Sequence, residues 1–208
     1  MSMLLSSLLS AVDTNPKDAL PAASSALSPL EKQALERIRG GDLQGLKTLY
    51  DMHALNLLNQ SWRILQNRAA AEDSVHDLFL KLPEALKGFR GESSLRTWLF
   101  RAMHNHCLNL LSIESNRRAL LRRELPSEEP LSQEPMASTA LENHDLLQRA
   151  LDYLEPDTRS LLWLKEAEGL SLKELVAIFE EPEGTLKARL SRAREKLRFI
   201  LAKEFDHG

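Results

Sequence analysis

"LSLKELVAIFEEPEGTLKARLSRAREKL", residues 170–197, decides the fold of this chain. Ser171 with Glu174 three residues on forms a capping box, in which two orphan backbone N–H groups find side-chain oxygens reciprocally. Leu172, Leu175, Val176 and Phe179 then share one face of a short helix. Pro182 opens a second helix, with Leu186, Leu190, Ala193, Leu197 and Leu201 on one stripe. Two helices joined by a tight turn, each with a face to bury, describe a helix-turn-helix. Lys187, Ala188, Ser191, Arg192, Glu195 and Arg198 are left on the outer side of the second helix. A basic row on a lone helix is ordinarily a solvated face. As the second half of a helix-turn-helix it is a candidate reader of DNA.

The rest of the chain is helix-forming in the same way. Of 208 residues 43% are hydrophobic, 27% charged and only 5% aromatic, and no alternating segment of strand length stands out, so the fold is expected to be all-α. The single cysteine, Cys107, excludes an intramolecular disulfide framework and points to a reducing compartment. The opening "MSMLLSSLLSAV" lacks a preceding positive charge and is broken by serines, and no stretch is apolar enough to span a bilayer. A cytoplasmic location is expected. The net charge of −3 hides a strong pattern. Residues 85–123 hold eight Lys/Arg against two Glu, residues 124–145 six acids and no Lys or Arg, and residues 183–203 seven Lys/Arg against two Glu. Two basic blocks flank an acidic spacer, which could fold back and mask them.

Composition divides the chain into two small helical domains. Residues 1–28 are expected to form a disordered tail, and the first domain covers 29–118. It begins at "SPLEKQALERI", with Ser28 as N-cap, Pro29 at the first position and Glu31 closing a capping box. After Gly40-Gly41, Leu43, Leu46, Tyr50, Ala54 and Leu57 mark a second helix, and Val75, Leu78, Phe79 and Leu82 a third that Pro83 ends or kinks. A loop, "KGFRGESS", leads into a helix over 94–115 with Leu95, Trp98, Leu99, Ala102, Met103, Cys107, Leu110 and Leu111 inward. An acidic, proline-bearing linker spans 119–140, and the second domain 141–208. Its short helices "LLQRALDYL" and "DTRSLLWLKEAEG" are separated by Pro156, and Gly169 stops the second.

"LEPDTRSLLWLKEAEGLSLKELVAIFEEPEGTLKARLSRAREKL" resembles region 4 of the extracytoplasmic-function (ECF) sigma factors of bacterial RNA polymerase. "GDLQGLKTLY … AEDSVHDLFLKL … FRGESSLRTWLFRAMHN" is similar to region 2 of the same family, and the two together cover roughly residues 38–200. The resemblance implies an alternative sigma factor that binds core RNA polymerase, directs it to promoter DNA and helps open the duplex, without a cofactor. It implies that Lys165, Thr185, Lys187, Ala188, Arg189, Ser191, Arg192 and Arg194 serve the −35 element. Arg and Lys donate to guanine, Ala188 approaches a thymine methyl, and Arg189 and Arg194 hold phosphates. For the −10 element it implies Phe89, Arg90, Glu92, Ser93, Arg96, Arg101, His104 and Asn105, around a pocket for an extruded base and a basic track for the single strand. Trp98, on the apolar face, is read as core, and Asn109 stands where many relatives carry an acid. Glu72, Asp73, Asp77, Leu78 and Phe79 are implied to dock the polymerase. An anti-sigma factor, membrane-bound by family expectation, is a further implied partner.

Other classes fare worse. His104 and Cys107 lie three apart on a helix but have no second ligand pair, and the ββα setting of an HNH nuclease is missing. No phosphate loop or nucleophile elbow occurs, so an enzyme is not expected. A sigma-like decoy that sequesters an anti-sigma factor has no need of Lys187, Arg192 and Arg194. A plain helix-turn-helix repressor leaves residues 29–118 unexplained.

Overall fold

A computed structural model describes residues 27–124 and 150–205 of the chain. Residues 1–26 of the expected tail, 125–140 of the expected linker and the start of the second domain lie outside them. Among the described residues the fold is all-α. Helix α1 (Pro29–Arg39) starts at the expected capping box, with the Glu31 N–H donating to Ser28 Oγ at 3.2 Å and the Ser28 N–H donating to Glu31 Oε2 at 2.7 Å. Helix α2 (Gln44–Leu65) crosses it at Gly45, where a Cβ would meet the Ala34 carbonyl oxygen at 2.4 Å. Only glycine permits that approach. Helix α3 (Arg68–Ala85) is N-capped by Asn67 and carries Pro83 inside its last turn; it continues to Ala85 and tightens into a 3₁₀ turn, Leu86–Gly88, rather than ending at the proline. Helix α4 (Leu95–Glu124) runs past Ser115 into the stretch assigned to the linker, carried by surface pairs of Glu114 with Arg117 and Arg118.

The inward line of α2 differs from the expected one. Leu49, Leu57 and Ile64 are fully buried, with His53 and Gln60 between them on the same face, whereas Leu43 is 70% exposed and Tyr50 44%. Two polar residues break the hydrophobic stripe because each has a partner inside. His53 Nε2 lies 3.3 Å from Glu31 Oε1, and Gln60 Nε2 donates to the Phe100 carbonyl at 3.1 Å. On α3 and α4 the expected apolar residues do pack inward, Val75, Leu78, Phe79 and Leu82 against Leu95, Leu99, Met103 and Cys107.

The second domain is built on α5 (Pro156–Glu166), α6 (Leu172–Phe179) and α7 (Glu183–Phe205). The α5 helix ends at Glu166, and the Leu170 N–H reaches back to the Leu164 carbonyl over Gly169, whose φ is +67°. Ser171 and Glu174 make the expected capping box. Pro182 lies one residue before α7 and offers its carbonyl to the Leu186 N–H. Leu161, Leu162 and Leu164 meet Leu175, Ile178, Leu186, Leu190 and Leu197 in a buried apolar core, each such side chain contributing about 1.5–3 kcal/mol of burial. The two domains then close on each other. Helix α5 packs on α2 and α6 on α4, so that one hydrophobic cluster runs through both.

Candidate nucleic-acid interface

Because Leu186, Leu190, Ala193 and Leu197 face α5 and α6, the other side of α7 must face outward. Thr185, Lys187, Ala188, Ser191 and Arg192 are all exposed there, within two turns. Lys187 leans on Glu183 at 2.6 Å and Arg192 Nε on the Ala188 carbonyl at 3.3 Å. A surface i,i+4 pair of this kind is worth about 0.3–0.5 kcal/mol and yields readily to a phosphate or a base edge. Three other expected contributors are engaged inside the domain. Lys165 Nζ donates to the Leu170 carbonyl at 3.0 Å, tying down the turn before α6. Arg194 Nε donates to Glu166 Oε1 at 2.9 Å.

Arg189 departs most from the phosphate role. Its guanidinium is held by Asp157 and Glu181 and by Thr158 Oγ1 at 3.2 Å, and it lies 5.8 Å over the Phe179 ring. A half-buried arginine gripped by two carboxylates braces α7 against α5. Burial opposes ionisation of Asp157, but His104 and Arg189 outweigh it and hold the carboxyl below its usual range.

In the first domain the loop after the 3₁₀ turn presents Arg90 and Glu92 to solvent, with Ser93 half-buried and Gly91 at φ +75°. Phe89 turns inward, edge-on to Trp98 with ring centroids 5.7 Å apart. It pins the loop to the core and offers no surface for a base. Arg101 and Asn105 are exposed, whereas Arg96 and His104 are 6% and 4% exposed and Thr97 2%. Lys32 and Arg39 of α1 line a shallow hollow beside Arg90 and Gly91 and extend the basic surface. They belong to no motif, and only the packing of α1 brings them there.

On α3, Glu72, Asp73 and Asp77 are exposed on one side. Leu78 and Phe79 point the other way, Phe79 edge-on to Tyr50 at 4.9 Å, so the apolar residue this face offers is Leu80, 66% exposed.

What covers Arg96, Thr97 and His104 is the second domain. Arg96 Nη2 donates to Glu168 Oε2 at 2.5 Å and to the Glu168 carbonyl at 3.2 Å, and Asn56 Nδ2 reaches the same carboxylate at 3.1 Å. Thr97 Oγ1 donates to Glu174 at 3.3 Å, and Arg101 pairs with Glu180. His104 Nε2 lies 2.9 Å from Asp157 Oδ1, its ring 4.5 Å from that of Phe179. Between α2 and α5, the Arg63 guanidinium is sandwiched 4.6 Å from both Trp62 and Trp163. Burial, with Arg159 nearby, pulls Arg63 down to about 10. Burial likewise raises Glu168 despite Arg96 beside it.

His104 and Cys107 look to different neighbours. The Cys107 thiol is buried against Met103 Sδ at 3.6 Å, and burial pushes it up to about 12, a small core residue rather than a reactive thiol. Among the described residues no group of three or more His, Cys, Asp or Glu is placed to hold a metal ion. No helix among them is long and apolar enough to cross a membrane.

An exposed basic helix on a helix-turn-helix, packed against a second helical bundle, is the architecture of a two-domain factor with a candidate DNA-binding helix. Residues 49–118 match the family model of sigma-70 region 2 and residues 144–197 that of sigma-70 region 4. The chain is 29% identical over 194 residues to the RNA polymerase sigma-H factor of Pseudomonas aeruginosa, covering 80% of this chain and 91% of that protein. It is 28% identical over 172 residues to the ECF RNA polymerase sigma-E factor of Escherichia coli K12, covering 78% and 90%. Among solved structures it resembles the sigma factor RpoE in complex with the anti-sigma factor NepR from Bartonella quintana, at TM-score 0.58 and 26% identity over 75% of this chain and 96% of that one. The fold also matches CnrH in complex with the cytosolic domain of CnrY, at TM-score 0.59 and 21% identity over 84% and 98%. The chain belongs to the extracytoplasmic-function sigma factors. It is an alternative sigma factor, an initiation factor rather than an enzyme, and works with core RNA polymerase at promoter DNA; the decoy reading is not favoured.

Proposed function

We propose that the division of labour follows the two faces. The exposed side of α7, with Thr185, Lys187, Ala188, Ser191 and Arg192, enters the major groove of the −35 element. Arg194 lies at its edge, within reach of a phosphate if its Glu166 pair opens. In region 2 the loop carrying Arg90, Glu92 and Ser93, with Arg96, Arg101, His104 and Asn105 behind it, captures the −10 strand. Glu72, Asp73 and Asp77, with Leu80, meet core polymerase. Region 2 is taken to span residues 29–118 and region 4 residues 141–208, and the factor acts in the cytoplasm.

The carrying observation is the uncovered α7 face on a well-packed helix-turn-helix. The similar sigma factor RpoE, solved in complex with the anti-sigma factor NepR, supports an anti-sigma factor for this chain too. Reconstituted transcription with core polymerase and a promoter library tests the reading. Sequence-specific starts that depend on this protein are expected. Core binding with no specific start on any fragment would reject it in favour of the decoy.

A further inference from the structure

We infer that this factor carries its own shutter: region 4 covers the strand-binding face of region 2 with carboxylates placed where the DNA backbone would lie, so the −10 face becomes available only when the domains part. The inference rests on reading α4 as the strand-capturing helix. The residues it needs at the surface, Arg96 and His104, are the ones buried, and what buries them is acidic. Glu168 meets Arg96, Glu180 meets Arg101, Asp157 faces His104, and Glu174 takes the Thr97 hydroxyl. Four acidic side chains from α5, α6 and the turns after them thus lie along one face of α4, much as successive phosphates would. These acids come from region 4, whereas the sequence pointed to the linker.

The fit is incomplete, as a displaceable cover should be. Arg96 Nε and Nη1 are buried with no hydrogen-bond partner, so the guanidinium fork is only partly used in the closed state. Glu168 is buried at a cost that Arg96 does not fully offset, since its carboxyl stays raised. A phosphate or base edge would satisfy donors that the closed form leaves idle. Meanwhile Glu72, Asp73, Asp77 and Leu80 on α3 and the outer side of α7 remain exposed in the closed chain. Partners can therefore engage both domains before the shutter opens.

The test uses the full chain with Lys47→Cys and Arg198→Cys as dye sites, both exposed and away from the closure, Cys107 being buried. Energy transfer between the dyes reports domain separation, and a fluorescein-labelled random-sequence single strand of about 12 nucleotides reports strand binding. Glu168→Lys/Glu180→Lys is expected to lower the transfer and to tighten strand binding about 10- to 100-fold, the factor expected when a 1–10% open population becomes dominant. Adding Arg96→Ala should abolish the gain. Salt alone should lower the transfer in the unmutated pair, because the outer of these ion pairs are screened. If neither the charge reversal nor salt moves the dyes, there is no latch and the inference fails. If the dyes separate with no gain in strand binding, region 4 masks nothing and the inference also fails. Promoter-specific initiation by the same preparations with core polymerase reads the sigma function separately from both outcomes.

Discussion

The two candidate DNA faces are both rows of basic and polar side chains on long helices, yet they stand in opposite states. On α7, Lys187 and Arg192 are exposed and held only by local contacts. On α4, Arg96 and His104 are buried under region 4. The difference lies in how many sides of each helix are packed. Helix α7 rests on α5 and α6 along one stripe, which leaves the opposite side to solvent. Helix α4 packs on α2 and α3 along one stripe and on α6 along another. Phe100, inward on that second side, lies 5.2 Å from the Arg96 guanidinium and is fully buried. A charged row alone does not tell which condition holds; the neighbour decides.

Breaking the frame beneath one face should have the largest effect. Leu49→Ala empties a fully buried site in region 2 and is expected to cost about 2–5 kcal/mol, read as a lower urea midpoint. Because one core runs through both domains, a single cooperative transition should shift. Separate transitions for the two domains would show that they pack too weakly to unfold together.

Lys187→Ala and Arg192→Ala sharpen the comparison from the open side. Each should weaken −35 duplex binding by about 1–3 kcal/mol while leaving core polymerase binding intact. The loss should be the same in the Glu168→Lys/Glu180→Lys background, because the α7 face is open in either state. An equal loss of core binding would remove these residues from the DNA-reading role.

Acid probes the clamp between Glu31 of α1 and His53 of α2. The His53 contact, working against burial and helped by Ser28, holds Glu31 down at about 2. A carboxyl lowered in the folded state stabilises above its ordinary value, and that contribution is lost as pH falls from about 4.5 towards 2. Allowing for solvent screening of a partly exposed group, it amounts to about 1–2 kcal/mol. Glu31→Gln should flatten this part of the stability–pH curve, and an unchanged curve would discard the clamp. The smallest effect belongs to Asp77→Ala, which should slow association with core polymerase at low salt and change the final affinity by about 1 kcal/mol or less.

The helix-turn-helix was legible because its signals are local. Ser171 with Glu174, Pro182, and the 186–190–193–197 stripe each act within a few residues, and each is found in place. The α2 face was not, because His53 and Gln60 occupy core positions that only partners from α1 and α4 make tolerable. Phe89 and Arg189 escaped for a related reason. Each has the chemistry of a surface contact, and each is held inside by a residue distant in sequence or on another helix, Trp98 for the one and Asp157 for the other. The burial of Arg96 by Glu168, 72 positions away, leaves no local trace.

One promoter met by the protein twice, alone and with core polymerase, gives the most direct test. On a fragment recovered from the initiation screen, footprinting combined with permanganate probing of unpaired thymines reports both elements together. Free protein should protect the −35 element and leave the −10 element untouched, and the holoenzyme should protect both and make −10 thymines reactive. Protection of the −10 strand by the free chain, or a holoenzyme that protects neither element, would contradict it.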